Sequence, residues 1–106
     1  MNREVASSAV HVRALARVRA IVLDMLDSED VRVYLFGSCA TGSPRATSDI
    51  DVAVEPLRGS STPSLTALRE RLEESDVPYD VDVVDLFTVS PEFAQRVRRE
   101  GVVWKG

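Results

Sequence analysis

The sequence predicts an α/β protein in which a sheet of three to four strands is layered with helices. Two observations favour this fold class. Apolar residues recur at three- and four-residue intervals in some segments, as on one face of a helix, and short segments rich in β-branched residues lie between them. The chain has 106 residues, a length that suits one compact domain. We therefore expect residues 1–106 to form a single domain, with a core over about residues 31–104.

The first half of the chain predicts one helix and two strands. A helix over about residues 10–26 follows from the helical spacing of four apolar residues, which are Leu15, Val18, Val22 and Met25. Val31–Phe36 is rich in β-branched and aromatic residues and predicts the first strand. A segment of Gly, Ser, Thr and Pro typical of a loop follows, and Ile50–Val54 then predicts the second strand.

A second helix and a third strand are expected next. Thr62-Pro63 predicts the helix start, because proline suits the first helical turn. The core face of this helix would consist of three leucines, which are Leu65, Leu68 and Leu72. The valine-rich stretch Val81–Leu86 predicts the third strand.

The last segment predicts a helix and a short strand. Ser90-Pro91-Glu92 combines a capping residue, a proline and an acid, which is typical of a helix start, and Gly101 is well placed to end the helix. Val102–Trp104 would then form a final strand, in which Trp104 is expected to pack against the core.

Composition excludes several classes of function. The chain carries 13 Lys and Arg against 17 Asp and Glu, a net charge of -4, which argues against broad binding to duplex DNA because that binding relies on basic residues. A single cysteine, Cys39, excludes an intrachain disulfide and a zinc site of paired cysteines. No apolar run approaches the roughly 18 residues of a membrane span, and the N-terminus lacks the pattern of a signal peptide. We expect a cytoplasmic protein.

The most informative stretch is Phe36-Gly37-Ser38, followed after ten residues by Asp49-Ile50-Asp51. Side chains two apart in a strand point to the same face, so Asp49 and Asp51 should present paired carboxylates. Two adjacent carboxylates need a cation, and oxygen ligands without His or Cys favour Mg²⁺, which commonly binds together with substrate phosphates. Gly37 and Ser38 follow a strand and could form an anion cradle for those phosphates.

A third acid is expected from a neighbouring strand. Asp80 and Asp82 would share one face of the third strand, and Asp85 would lie on the other. We choose Asp82, because a charged residue flanked by valines in a central strand would be costly unless it were paired or metal-bound. The alternative is that Asp49 and Asp51 are ordinary strand-start or turn residues and that Gly37-Ser38 is an ordinary loop. That structural interpretation is preferred for Asp80 and Asp85.

These motifs resemble the nucleotidyltransferase superfamily that includes DNA polymerase beta, in particular its minimal nucleotidyltransferases. The resemblance includes Val81–Leu86 and the ending Arg99–Trp104, and it implies a mixed sheet layered with helices. It further implies that Asp49 and Asp51 bind metal, that Asp82 is the third catalytic and metal-binding carboxylate, and that two Mg²⁺ ions act with ATP. Nucleotide binding would fall to three residues of the first loop, namely Gly37, Ser38 and Arg45.

The resemblance also implies an acceptor. Short members of the superfamily resemble the antitoxin partner of a helical HEPN-type ribonuclease toxin, which they inactivate by transferring AMP from ATP to a tyrosine, and we expect a hetero-oligomer with such a partner. Two alternatives stay open. One is a small-molecule adenylyltransferase, whose relatives carry an extra helical domain, and the other is a noncatalytic module that masks a toxin by contact.

Overall fold

The computed structural model describes residues 3–36, 50–57 and 64–106, with the side chains of the first helix described from Val12 onward. The three helices are α1 (Arg3–Met25), α2 (Thr66–Glu74) and α3 (Pro91–Glu100). The four strands are β1 (Val31–Phe36), β2 (Ile50–Pro56), β3 (Val81–Asp85) and β4 (Val102–Lys105). The predicted α/β class, with up to four strands layered with helices, is confirmed.

The described strands form one mixed sheet in the order β3-β2-β1-β4. β1 pairs antiparallel with both β2 and β4, whereas β2 pairs parallel with β3. A parallel pair needs a crossover between its strands, and α2 lies within that connection. In the order of the described strands, β3 lies at one edge of the sheet, next to β2.

One face of the sheet is buried under α1 and α2. Alternate residues of β1 and β2 point to this face, as strand periodicity requires, and they are Val31, Val33, Leu35, Ile50, Val52 and Val54. α1 supplies Val18 and Val22, both with no exposed surface, and α2 supplies Leu68. The main hydrophobic core thus lies on this side, and burial of these side chains is the chief force that holds the helices to the sheet.

The opposite face carries a smaller core beneath α3. Tyr34 of β1 and Ala53 of β2 pack there against Ala94 and Val97 of α3. The Ser90 hydroxyl accepts a hydrogen bond from the Phe93 N–H at 3.3 Å, which caps the start of α3. Gly101 ends the helix. Both predicted boundaries of this helix are confirmed.

A polar contact ties α3 to the sheet beside this smaller core. Glu55 of β2 accepts a hydrogen bond from the Tyr34 hydroxyl at 3.1 Å and forms an ion pair with Arg98 of α3. Burial is the main cause that raises the pKa of Tyr34 above its ordinary value of 10.0. Tyr34 therefore stays a neutral donor through the physiological range.

Three predicted boundaries differ from the structure by two residues or more, and the predicted ends of α1, β3 and β4 differ by one residue. α1 begins at Arg3 and not near residue 10, because helix-compatible residues without Gly or Pro continue the helix beyond its apolar stripe. α2 begins at Thr66, since Ser64 and Leu65 are not helical and the Leu65 carbonyl accepts the first helical bond, from Arg69, at 2.9 Å. β2 continues to Pro56, where it still pairs with Val31. The proposed start at Thr62-Pro63 lies outside the described residues.

Within the described part of the chain, no helix has both the length and the apolar character needed to cross a membrane.

Gly101, at the junction between α3 and β4, lies close to two backbone carbonyl groups. A Cβ atom at Gly101 would lie 2.6 Å from the Val97 carbonyl oxygen and 3.2 Å from the Leu35 carbonyl oxygen, both backbone atoms. Gly101→Ala should therefore lower the free energy of unfolding by about 1–3 kcal/mol, as overpacking does. Urea denaturation measures the change. The exposed substitution Gln95→Ala on α3 is the control and should stay within about 0.5 kcal/mol. A Gly101→Ala protein as stable as that control would contradict the close approach.

Candidate active site

Three strands place their side chains in one row across the sheet. Phe36 of β1 is the pairing partner of Asp51 in β2, and Asp51 is in turn the partner of Asp82 in β3. Residues paired in this way point to the same face, about 4.8 Å apart across each strand pair. The carboxylates of Asp51 and Asp82 are therefore neighbours on one surface. We call Phe36, Asp51 and Asp82 the carboxylate row.

The carboxylate row lies on the side of the sheet that carries α3. Tyr34 and Ala53 pair with each other two residues away from Phe36 and Asp51, and they are buried under that helix at 2% and 0% exposure. At the row itself Asp51 is half-buried and Asp82 is exposed. Phe36, at one end of the row, packs edge-to-face against Phe93 of α3, whereas Asp82, at the other end, is accessible to a ligand.

The apolar residues that flank Asp51 explain why the strand forms despite its charge. Ile50 and Val52 have no exposed surface and point into the main core. Strand alternation then places Asp51 on the opposite face. The prediction that Asp51 and its apolar neighbours point to opposite sides is confirmed.

The reason given for choosing Asp82 was wrong in one respect. β3 is an edge strand and not a central strand, and the Asp82 side chain is exposed, so its charge is hydrated and needs no partner to offset burial. The described residues contain no buried charged side chain. The pairing of Asp82 with Asp51 now supports Asp82 as the third acid of the site, and a cost of desolvation does not.

The other two aspartates of this region have structural contacts. The Asp80 carbonyl accepts a hydrogen bond from the Ile50 N–H at 2.9 Å, which fixes the start of the β2–β3 ladder. The Asp85 carboxylate accepts a hydrogen bond from the Phe87 N–H at 2.8 Å, the geometry of an aspartate turn. The side-chain contact of Asp85 agrees with its structural interpretation, whereas the contact of Asp80 involves its backbone alone and leaves the role of its side chain a prediction.

Four predicted site residues lie outside the described residues: Gly37, Ser38, Arg45 and Asp49. In the sequence Gly37 directly follows Phe36, and Asp49 directly precedes Ile50. The structure thus brings together two of the predicted acids, Asp51 and Asp82, and their assignment as ligands stays a prediction.

Oxygen donors in the carboxylate row suit a hard divalent cation such as Mg²⁺. Among the described residues there is no group of three or more His, Cys, Asp or Glu that could hold a metal ion. The row supplies two carboxylates, and the third predicted ligand, Asp49, is not among the described residues. The donor chemistry fits Mg²⁺.

One residue of this region was missed by the sequence analysis. Arg69 of α2 donates a hydrogen bond from Nη2 to the Val83 carbonyl at 2.8 Å, one residue beyond Asp82. In the sequence, Arg69 is one of several charged residues of a helix, and such residues commonly face solvent. Only the three-dimensional path of β3 shows its partner.

Comparison with known proteins identifies the family. Residues 25–104 match the family described as Polymerase beta, Nucleotidyltransferase. The chain belongs to this nucleotidyltransferase family. The matched range contains the whole carboxylate row, and the resemblance inferred from the motifs is confirmed.

The chain is also similar to one named protein and to two solved structures. A protein of Haemophilus influenzae with the provisional name protein adenylyltransferase MntA is 33% identical over 89 residues, which are 84% of this chain and 76% of the relative. A crystal structure of a toxin-antitoxin with AMP-PNP matches at 30% identity and TM-score 0.64, covering 83% of this chain and 73% of that one. A toxin-antitoxin structure of MntA-HepT matches at 26% identity and TM-score 0.58, covering 86% and 72%.

The geometry of this nucleotidyltransferase generates a binding prediction. Removing one carboxylate charge from the row should weaken Mg²⁺-dependent ATP binding, so Asp51→Asn should raise the dissociation constant by about tenfold or more, equivalent to about 1.4 kcal/mol or more. Isothermal calorimetry with and without Mg²⁺ measures this. Asp80→Asn, an exposed acid that contributes a backbone contact, is the control and should bind almost as the unaltered chain does. An equal loss of ATP affinity in the two variants would show that the carboxylate row is not the binding site.

Proposed function

We propose that this chain is a Mg²⁺-dependent protein adenylyltransferase that transfers AMP from ATP to a tyrosine of a HEPN-type ribonuclease toxin and thereby acts as its antitoxin. The observation that carries the proposal is the pair Asp51 and Asp82, side by side and accessible on the sheet of a nucleotidyltransferase. The relatives support the nucleotide and the acceptor class, because one is named a protein adenylyltransferase and two are toxin-antitoxin structures.

The proposed ligands of the divalent ions are three carboxylates: Asp49, Asp51 and Asp82. Two bound Mg²⁺ ions would stabilise the charge on the attacking and leaving oxygens. Gly37, Ser38 and Arg45 are proposed to bind the triphosphate, on the support of the sequence motif, with backbone N–H groups and a guanidinium as donors to the phosphate oxygens.

The proposed reaction is a displacement at phosphorus. The tyrosine oxygen forms a bond to the α-phosphorus of ATP, the bond from that phosphorus to the oxygen bridging it to the β-phosphate breaks, and pyrophosphate leaves with that oxygen. The hydroxyl proton goes to a carboxylate, for which we propose Asp82 because its side chain is exposed on the edge strand. Asp51, half-buried and held by the flanking core, keeps a fixed position relative to it.

The openness of the carboxylate row favours a macromolecular acceptor. A folded partner brings its own surface and orients its hydroxyl through that interface, which lowers the entropic cost of reaction. A small acceptor depends on an enclosing pocket for the same effect. We propose that residues 1–106 act as one nucleotidyltransferase domain in the cytoplasm, where ATP and Mg²⁺ are available, in a hetero-oligomer with the toxin.

Coexpression with the toxin tests this function. Intact mass spectrometry should show the partner gaining one or more AMP units on a tyrosine, together with loss of its ribonuclease activity. Asp82→Asn should slow transfer by about a hundredfold or more, since charge stabilisation and proton transfer contribute several kcal/mol, and Asp80→Asn should change it little. Melting curves of both variants serve as a control for folding. A partner that is fully neutralised but unmodified would contradict transfer and support a noncatalytic binding module.

A further inference from the structure

Arg69 makes a contact that links α2 to the edge of the sheet. Its guanidinium donates a hydrogen bond to the Val83 carbonyl at 2.8 Å, across fourteen residues of sequence. A charged donor strengthens such a bond relative to a neutral one. The contact lies one residue beyond Asp82, the exposed acid of the carboxylate row.

The hydrogen bonds between β2 and β3 hold only one edge of β3, and Arg69 contacts the other edge. The Asp80 carbonyl and the Leu86 N–H both bond to β2, at 2.9 Å each. In a parallel pair, alternate residues turn their peptide groups toward the neighbouring strand, so Val83 turns its own outward. The guanidinium of Arg69 therefore occupies the outer edge of β3 and holds the strand on the side away from β2.

Asp82 depends on this backbone for its position. Its side chain is exposed, so its placement follows from the peptide units on either side of it. Val83, next in the chain, buries its side chain at 3% exposure in the main core. The core fixes the position of Val83 from the sheet face, β2 fixes the inner edge of the strand, and Arg69 fixes its outer edge.

We propose that Arg69 is a positioning residue for nucleotidyl transfer, which keeps Asp82 beside Asp51 by holding β3 at the Val83 carbonyl. This inference rests on the proposed function of the carboxylate row. Arg69 acts through the backbone of β3, so it should affect the reaction step more than the affinity for ATP. A residue that bound the triphosphate directly would have the opposite effect.

Steady-state kinetics of three variants test the proposal. Arg69→Ala should lower kcat for AMP transfer by about tenfold to a hundredfold, in line with the cost of displacing a reacting group by about 1 Å, and should leave KM for ATP within about twofold of its original value. Arg69→Lys should restore part of kcat, because an ammonium group can also donate to the carbonyl. Arg71→Ala, a nearby exposed arginine of α2, is the matched control and should leave both constants unchanged.

Hydrogen exchange gives a readout that does not require transfer. Amides of Asp82 and Val84 should exchange faster in Arg69→Ala than in Arg71→Ala, and Arg69→Lys should reverse part of the change. If the unaltered chain transfers no AMP, the proposed function fails and hydrogen exchange alone decides whether Arg69 holds β3. Unchanged exchange in β3 overturns the inference, and so does a raised KM with an unchanged kcat, which would make Arg69 a nucleotide-binding residue.

Discussion

The parallel pairing of β2 with β3 is the constraint on which the site depends. Hydrogen bonds from Ile50 to Asp80 and from Leu86 to Val54 close the two ends of this ladder. Between them Asp51 lies opposite Asp82. A slip of one residue would reverse the facing of every side chain in β3. Asp82 would then point into the main core, and its carboxylate would have to be desolvated there.

Hydrophobic burial prevents this slip. Val83 of β3 packs in the same core as Ile50 and Val52 of β2, and all three are almost completely buried. Their burial is therefore coupled to the exposure of the acids, because neighbouring residues of a strand point to opposite faces. The residues that form the core and the residues that form the carboxylate row specify the same register. This register places Asp51 beside Asp82 on one face of the sheet.

The helices divide the two faces of the sheet unequally. α1 and α2 bury one face, whereas α3 packs on the other over Tyr34, Ala53 and Phe36 and leaves Asp82 exposed. The ion pair of Arg98 with Glu55 and the hydrogen bond from Tyr34 to Glu55 hold α3 on this second face. Glu55 lies on the same face as Asp51, yet its contacts make it a structural carboxylate. Position along one strand thus separates an acid that ties α3 to the sheet from one that lies beside Asp82.

Local features of the fold could be predicted from the sequence, and long-range ones could not. The Ser90 cap and the end of α3 at Gly101 depend on a few neighbouring residues, and the facing of Asp51 depends on strand alternation. Strand order depends on pairing between distant segments, so the position of β3 at the edge was not foreseen and Asp82 was chosen on a mistaken assumption of burial. The Arg69 contact with Val83 was missed for the same reason. Membership of the nucleotidyltransferase family was predictable, because each of its motifs is a short stretch that can be recognised without knowledge of strand order.

NMR detection of scalar couplings across the hydrogen bonds between β2 and β3 tests directly whether the two strands pair in this register. We expect a coupling between the Ile50 amide nitrogen and the Asp80 carbonyl carbon, and another between the Leu86 amide nitrogen and the Val54 carbonyl carbon. Both couplings together require Asp51 and Asp82 to share one face of the sheet. Couplings displaced by one residue along β3 would place the two carboxylates on opposite faces and would rule out a site formed by Asp51 and Asp82 together.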